Sequence, residues 1–358
     1  MQTSATSVSA VIDHVAPLDQ DAMHEAARRL DRLTKPPGSL GRLEELAVRL
    51  AGITGRVRQR FSNKTVILMA GDHGVVEEGV SAYPQAVTAQ MVANFLRGGE
   101  AINVLARRAG ARVVVVDMGV ASELPAHPDL ISRKIGLGTK NIAVGPAMTR
   151  EEALAAIEAG VEVASDQIRR GADLLATGDM GIGNTTPSSA IVSALLSCAV
   201  DEVTGRGTGV DDATLKRKAA VVERAIAVNQ PDPADPLDVL AKLGGFEIAG
   251  LAGVVLKGAA ERLPIIIDGF ISGAAALVAV RLCPAARDYL LAAHCSVEPG
   301  HRAILQALGL TPLLDLDLRL GEGTGAALAM HLVDDALAIL DEMATFEEAG
   351  VADRPERG

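Results

Sequence analysis

The chain has 358 residues, 49% of them hydrophobic and 22% charged, with 45 Asp+Glu against 34 Lys+Arg for a net charge of −11. This excludes a disordered polymer and suits one large α/β domain, or two smaller ones, with a sizeable core. Aromatic residues make up 2%, with no Trp, and the charge has the wrong sign for a phosphate backbone, so nucleic acid is excluded as a partner.

The first 20 residues contain no basic segment followed by an apolar run, which predicts no secretory signal and a cytoplasmic protein. Helices are expected over 19–33 and 40–53. Apolar runs at 65–70 (TVILMA), 112–117 (RVVVVD), 173–177 (DLLAT), 264–268 (PIIID) and 289–293 (YLLAA) read as strands. A sixth is expected near 313–318. Runs of this length without alternation suit strands buried on both faces. Helical stretches lie between them: 84–97, a segment opened by the capping box Thr149–Glu152, 211–228, and 324–342 running on toward 348. The longest uncharged run, 180–200, carries Asn184, Thr185, Thr186, Pro187, Ser188 and Ser189, too polar to span a bilayer. The mean hydropathy of +0.26 therefore reports a buried sheet and apolar helices. Pro231-Asp-Pro-Ala-Asp-Pro236 marks a loop, and the charged residues 352–358 are expected to fray. Cys198, Cys283 and Cys295 form an odd set without C-x-x-C spacing, which argues against a disulfide framework or a zinc site.

Alternating β and α segments predict an α/β fold, a doubly wound, mostly parallel, Rossmann-like sheet. Residues 60–325 would form this catalytic domain. Residues 1–59 and 326–358 would form a small helical subdomain built from both chain ends. In such sheets ligands bind at the carboxyl ends of the strands, where polar residues gather here: Asp72-His73, Asp117, Asp179, Asp268, His294 and Glu322. The turn Gly181-Ile-Gly183-Asn184-Thr185-Thr186 offers backbone N–H groups and hydroxyls to an anion. It is neither a P-loop nor G-x-G-x-x-G, and it also reads as a tight turn before a capped helix. Gly205-Arg-Gly207-Thr-Gly209 with Lys216, Arg217 and Lys218 is a second anion candidate, although most of that basic trio fits a solvated helix face. Glu322, between two glycines, reads as a solvated turn residue or as an acid held at a site. His73 and His294 have no metal-ligand spacing and read as hydrogen-bonded structural histidines; no metal is expected.

Leu33-Thr-Lys-Pro-Pro-Gly-Ser-Leu-Gly41, Ala70-Gly-Asp-His-Gly-Val75, Gly178-Asp-Met-Gly-Ile-Gly-Asn-Thr-Thr186, Glu298-Pro-Gly-His301 and Leu318-Arg-Leu-Gly-Glu-Gly-Thr-Gly325 occur together and in order. In this combination the chain resembles the nicotinate-nucleotide–dimethylbenzimidazole phosphoribosyltransferases of cobalamin nucleotide-loop synthesis. The resemblance implies transfer of phosphoribose from nicotinate mononucleotide to 5,6-dimethylbenzimidazole, giving α-ribazole 5′-phosphate and nicotinate. It also implies a homodimer and no cofactor. Glu322 matches the family's catalytic base. Asp179 matches an acidic position where some members carry Glu, one methylene longer. Gly181, Gly183, Asn184, Thr185, Thr186, Gly207 and Lys218 match the region holding the mononucleotide phosphate. Asp268 and Arg319 match ribose- and substrate-facing positions, and Ser81, Tyr83 and Gln90 match the border of the base pocket.

The chemistry needs few groups. Nicotinate leaves neutral from a pyridinium nitrogen, so no general acid is required, whereas the incoming benzimidazole must lose its ring N–H, which requires one general base. Attack opposite the leaving group inverts the β-linkage to α. Two alternatives come from other classes. A nicotinamide-nucleotide-dependent dehydrogenase would need the missing G-x-G-x-x-G after a first strand. A non-catalytic nucleotide-binding module would leave Glu322 without a task.

Overall fold

The computed structural model describes residues 7–352, so the expected fraying of the C-terminal stretch falls almost wholly outside the described residues. Six parallel strands form one sheet: β1 Lys64–Gly71, β2 Arg112–Gly119, β3 Leu130–Ser132, β4 Leu174–Met180, β5 Ile265–Ile267 and β6 Leu290–Ala292. Their order is β3-β2-β1-β4-β5-β6, a doubly wound arrangement that reverses direction between β1 and β4. Every residue of β1 and of β4 is buried, as strands covered by helices on both faces must be.

Five of the expected strands are present. The sixth, 313–318, is not a strand. Leu313 and Leu314 donate to the carbonyls of Ala292 and Ala293, Cys295 returns a bond to Leu314 and the Val297 N–H reaches the Leu318 carbonyl, but these bonds amount to no more than an isolated bridge at Leu314. This segment, Leu-Leu-Asp-Leu-Asp-Leu, alternates polar and apolar where the true strands do not, and Asp317 has φ +55°, outside the extended region. The sheet gains β3 instead, a three-residue, partly exposed edge strand too short to leave a sequence signal.

One face of the sheet is covered by the helix Phe246–Ala260, of which 13 residues are buried. It lies against the helix Arg150–Arg169 so closely that a Cβ on Gly160 would sit 1.9 Å from the Gly250 carbonyl oxygen. An aromatic-poor core thus gains density by backbone approach rather than by large side chains. The helix Thr324–Glu342 packs on the other face with Ala101–Ala109 and Arg42–Thr54. The two chain ends meet there: Leu33 forms a bridge with Thr345, and the Arg29 guanidinium donates to the carbonyls of Leu340 (2.6 Å), Asp341 (3.2 Å) and Met343 (3.3 Å). Among the described residues, no helix is long and apolar enough to cross a membrane, and Cys198, Cys283 and Cys295 are free thiols.

Candidate active site

The carboxyl ends of β4, β5 and β6 open onto one cleft of about 700 Å³, beside the point where strand order reverses. Two glycine-flanked turns form its walls. The first follows β4. Gly181, Ile182, Gly183 and Asn184 lead straight into the helix Thr185–Leu196. The Thr186 N–H is taken by the Gly183 carbonyl and Pro187 has none, so among the described residues the Gly183 and Thr185 N–H groups are left bare at the cleft. The Ile182 N–H donates to Thr88 Oγ1 (3.1 Å), and Thr88 donates to Asp72 Oδ1 (2.6 Å). Asp72 is itself held by the Ala121 N–H (2.8 Å). Behind the turn, the fully buried Lys218 donates from Nζ to Thr185 Oγ1 (2.6 Å) and to the Gly205 carbonyl (3.0 Å). With its oxygen occupied by the ammonium, the Thr185 hydroxyl is left to donate. Burial pulls the Lys218 pKa down to about 8, with the Glu298 charge partly offsetting it. Gly207, beside Thr185, is gripped from both sides: its N–H by Glu298 Oε1 (2.8 Å) and its carbonyl by Arg319 Nη1 (3.0 Å).

The second turn precedes the helix Thr324–Glu342. Gly321, Glu322 and Gly323 all adopt left-handed backbone, with φ of +80°, +64° and +89°. Glu322 is the one residue of the three that incurs the Cβ penalty, on the order of 1 kcal/mol. The turn rests on β4, where a Cβ at Gly178 would fall 2.6 Å from the Glu322 carbonyl oxygen. The Glu322 side chain is 3% exposed, and among the described residues its Oε2 finds no hydrogen-bond partner. Burial first, then the like charges of Glu100 and Asp268, push its pKa up to about 8. Asp268, at the end of β5, accepts the N–H groups of Gly323 (3.0 Å) and Ala326 (2.9 Å). Burial raises the Asp268 carboxyl, while His294 and these N–H groups favour its charged form.

Further ionisable groups lie at the cleft, as Asp179 does, or buried behind it, as His73, Glu247 and His301 are. Asp179 accepts from Asn184 Nδ2 (3.1 Å); burial, then the charges of Asp268 and Glu247, hold it well above the usual carboxylate range. His73 Nε2 lies 2.7 Å from Glu247 Oε1, both buried. Burial opposes protonation of His73, but the Glu247 and Asp72 carboxylates carry its pKa above the ordinary value. Burial pulls His301 the other way, down to about 3.

The chain matches a family model described as Phosphoribosyltransferase over residues 15–351. It is 63% identical over 341 residues to the nicotinate-nucleotide–dimethylbenzimidazole phosphoribosyltransferase of Desulforudis audaxviator (strain MP104C), covering 95% of this chain and 97% of that one. The protein of the same name from Geobacter sulfurreducens is 58% identical over 348 residues, covering 97% and 99%. The crystal structure of CobT from Thermus thermophilus superposes with a TM-score of 0.90 at 54% identity, covering 93% of this chain and 99% of that one. The chain belongs to the nicotinate-nucleotide–dimethylbenzimidazole phosphoribosyltransferase family. These relatives give no support to the dehydrogenase or the non-catalytic binding module.

Of the residues that the phosphoribosyltransferase resemblance selects, Ser81, Tyr83, Asp179, Gly181, Gly183, Asn184, Thr185, Gly207, Arg319 and Glu322 line the one cleft. Four do not line it. Thr186 is fully buried within the helix, and Lys218 stands behind Thr185. Asp268 is fully buried beneath the Glu322 turn. Gln90 sits on the exposed side of the helix Val87–Arg97, whose Val87 and Met91 reach the cleft instead. Lys216 and Arg217 are exposed, as a solvated face requires. Asp117 is spent locally on the Val120 N–H and Lys134. His73 is hydrogen-bonded as expected, but His294 is not: its Nδ1 lies 3.8 Å from Asp268 Oδ1, and the ring lines the cleft. Sequence reasoning left Glu298, Glu247 and Thr88 without a role. Glu247 carried a signal, being the lone acid, in the first turn, of a helix whose one other charged residue is Lys257 in the last turn.

Proposed function

We propose that this chain transfers phosphoribose from nicotinate mononucleotide to 5,6-dimethylbenzimidazole, with inversion at ribose C1, releasing nicotinate and α-ribazole 5′-phosphate. The observation that carries the reading is the pairing of the two turns across one cleft: hydrogen-bond donors backed by Lys218 on one wall, and the buried, under-bonded carboxyl of Glu322 on the other. The donors hold the phosphate, through the Gly183 and Thr185 N–H groups, the Thr185 hydroxyl and the charge of Lys218 behind it. Glu322, once ionised, takes the ring proton of the benzimidazole as its other nitrogen attacks C1. A pKa near 8 makes it a stronger base than a solvated carboxylate. Nicotinate departs with the bonding pair and needs no proton. Phosphate anchoring supplies proximity between the two substrates, and the scheme calls for no metal or redox cofactor. Asp179, shorter than the Glu of some relatives, borders the base from the β4 end.

The same reading takes the active form as a homodimer. Residues 60–325 carry the site. The helical subdomain expected from 1–59 with 326–358 corresponds, among the described residues, to the layer of Gln20–Arg32, Arg42–Thr54 and Thr324–Glu342 joined by the Leu33–Thr345 bridge, whereas Val8–Ile12 packs on the opposite face against Phe246–Ala260. We place the enzyme in the cytoplasm, where free thiols as accessible as the partly buried Cys198 and Cys295 persist. The deciding experiment incubates the purified protein with nicotinate mononucleotide and 5,6-dimethylbenzimidazole and follows both products by chromatography and mass. Nicotinate and a ribazole phosphate should appear together, and only with both substrates present. Nicotinate formed without the base would instead make the protein a hydrolase.

A further inference from the structure

The left-handed turn that carries Glu322 is not self-supporting. Its helix begins at Thr324 with Gly323 in the N-cap position, which has no side chain to receive the first N–H groups. Those groups are received from outside the element. Asp268, 54 residues earlier in the chain than Glu322 (322 − 268 = 54) and at the carboxyl end of β5, accepts Gly323 N–H at 3.0 Å with Oδ2 and Ala326 N–H at 2.9 Å with Oδ1. Gly323 is the residue directly after Glu322, so one arm of this carboxylate fixes the peptide that aims the glutamate. The other arm fixes the helix. Asp268 is fully buried and does not border the cleft, so it meets neither substrate. Its own backbone is tied to the neighbouring strand, the Asp268 N–H reaching Thr177 Oγ1 at 3.3 Å. On the far side of the turn, the Glu322 carbonyl packs against Gly178. Glu322 is thus clamped between β4 and β5, although it belongs to neither.

We propose that Asp268 is a positioning residue for Glu322: an external N-cap whose two carboxylate arms hold the strained Gly321-Glu322-Gly323 turn in the orientation that presents the base. This rests on the reading of Glu322 as the base, and it replaces the substrate-facing role that the family resemblance suggests for Asp268. Exact placement matters because a misdirected base loses proton transfer long before the protein loses its fold. Asp268→Asn keeps the shape and one accepting oxygen but turns an amide NH2 toward the second N–H, so one arm becomes a repulsive donor–donor contact.

The test is steady-state kinetics on Asp268→Asn, Thr177→Val and Glu322→Gln, and on the Asp268→Asn/Glu322→Gln double variant, with nucleotide binding by calorimetry as the check on folding. Asp268→Asn should lower kcat about 100-fold while KM for nicotinate mononucleotide stays within about threefold. Thr177→Val, which loosens Asp268 without removing its carboxylate, should lower kcat about threefold to tenfold with the same split. Combined with Glu322→Gln, Asp268→Asn should change the residual rate by less than about twofold, because its effect runs through the glutamate. A KM increase as large as the fall in kcat would return Asp268 to the substrate. Losses that multiply in the double variant would make its role merely structural. Should Asp268→Asn fail to bind nucleotide, Thr177→Val decides, and full kcat there overturns the proposal. If Glu322→Gln keeps full turnover, the base reading itself is wrong; if Glu322→Gln is inactive and Asp268→Asn fully active, the role of Asp268 alone falls.

Discussion

The two walls of the cleft are built by one device and put to opposite uses. After β4, glycines lead into the helix Thr185–Leu196; before the helix Thr324–Glu342, glycines flank Glu322. Each turn is pinned by a buried aspartate from another strand end, Asp72 through Thr88 on one side and Asp268 directly on the other. The first turn keeps the Gly183 and Thr185 N–H groups bare and stands in front of a lysine, so it holds negative charge. The second has its N–H groups consumed by Asp268 and presents a carboxyl that lacks a partner, so it accepts a proton. Who takes up the helix N–H groups therefore decides what each wall does. A helix N-terminus facing an unoccupied cleft binds anions, while one already neutralised by a buried carboxylate can sit beside a base without depressing its pKa.

The sharpest way to break this comparison is to neutralise the carboxyl wall alone. Glu322→Gln keeps the shape and removes the base, and it should lower kcat about 1,000-fold while nucleotide affinity is retained. Initial rates with saturating substrates, alongside calorimetric binding of nicotinate mononucleotide, check this. Turnover close to the parent's would remove Glu322 from the chemistry.

The second test titrates the same wall. The base must be ionised, and burial with the charges of Glu100 and Asp268 raises the Glu322 pKa to about 8. kcat/KM for the benzimidazole should therefore climb about tenfold per pH unit below that value and level off above it. Between pH 6 and 8 this amounts to about 50-fold, because half of the carboxyl is ionised at its pKa. In Glu322→Gln that slope should vanish. A flat profile in the parent would mean that the proton leaves by another route.

The donor wall gives the third and smaller effect. Lys218 stands behind Thr185 rather than in the cleft, so Lys218→Ala should raise KM for nicotinate mononucleotide about tenfold and leave kcat within about threefold. Concentration series in the mononucleotide at fixed base separate the two parameters. An unchanged KM would show that the Gly181–Thr185 turn holds the phosphate without help.

How legible these walls were in the sequence follows from the range of the forces that make them. The runs TVILMA and RVVVVD announce β1 and β2 because burial on both faces is written locally as unbroken hydrophobicity. The glycines around Glu322 and the Gly-Ile-Gly-Asn-Thr-Thr turn were visible for the same reason, since backbone conformation is a local demand. Three-residue β3 left no trace, and the alternating 313–318 segment looked extended because only its three-dimensional setting reveals that Leu316 is exposed beside Asp315 and that Asp317 leaves the extended region at the cleft. Roles that depend on a partner far along the chain were least legible. Nothing near Asp268 says that it receives the N–H of Gly323, and nothing near Thr88 says that it receives that of Ile182. Residues of this kind look, in sequence, like any other polar group at the end of a strand.

The smallest effect is on stability, and here the two acids of one wall should separate in sign. Glu322 is more easily protonated folded than unfolded, its pKa rising from 4.5 to about 8. Its contribution is therefore fully present below about pH 4.5 and is lost as pH rises toward 8, where folding must force a buried carboxylate to ionise. Glu322→Gln escapes that loss. It should be more stable than the parent at pH 8, with the difference shrinking toward zero near pH 4.5. Asp268→Asn surrenders one of the two hydrogen bonds that cap a 19-residue helix, and it should be less stable than the parent by about 1 kcal/mol at pH 8. Denaturant midpoints at pH 5 and pH 8 measure both. If Glu322→Gln proved the less stable at pH 8, the carboxylate would be a satisfied member of the turn, and the contrast between a wall that binds charge and a wall that withholds partners from it would fail.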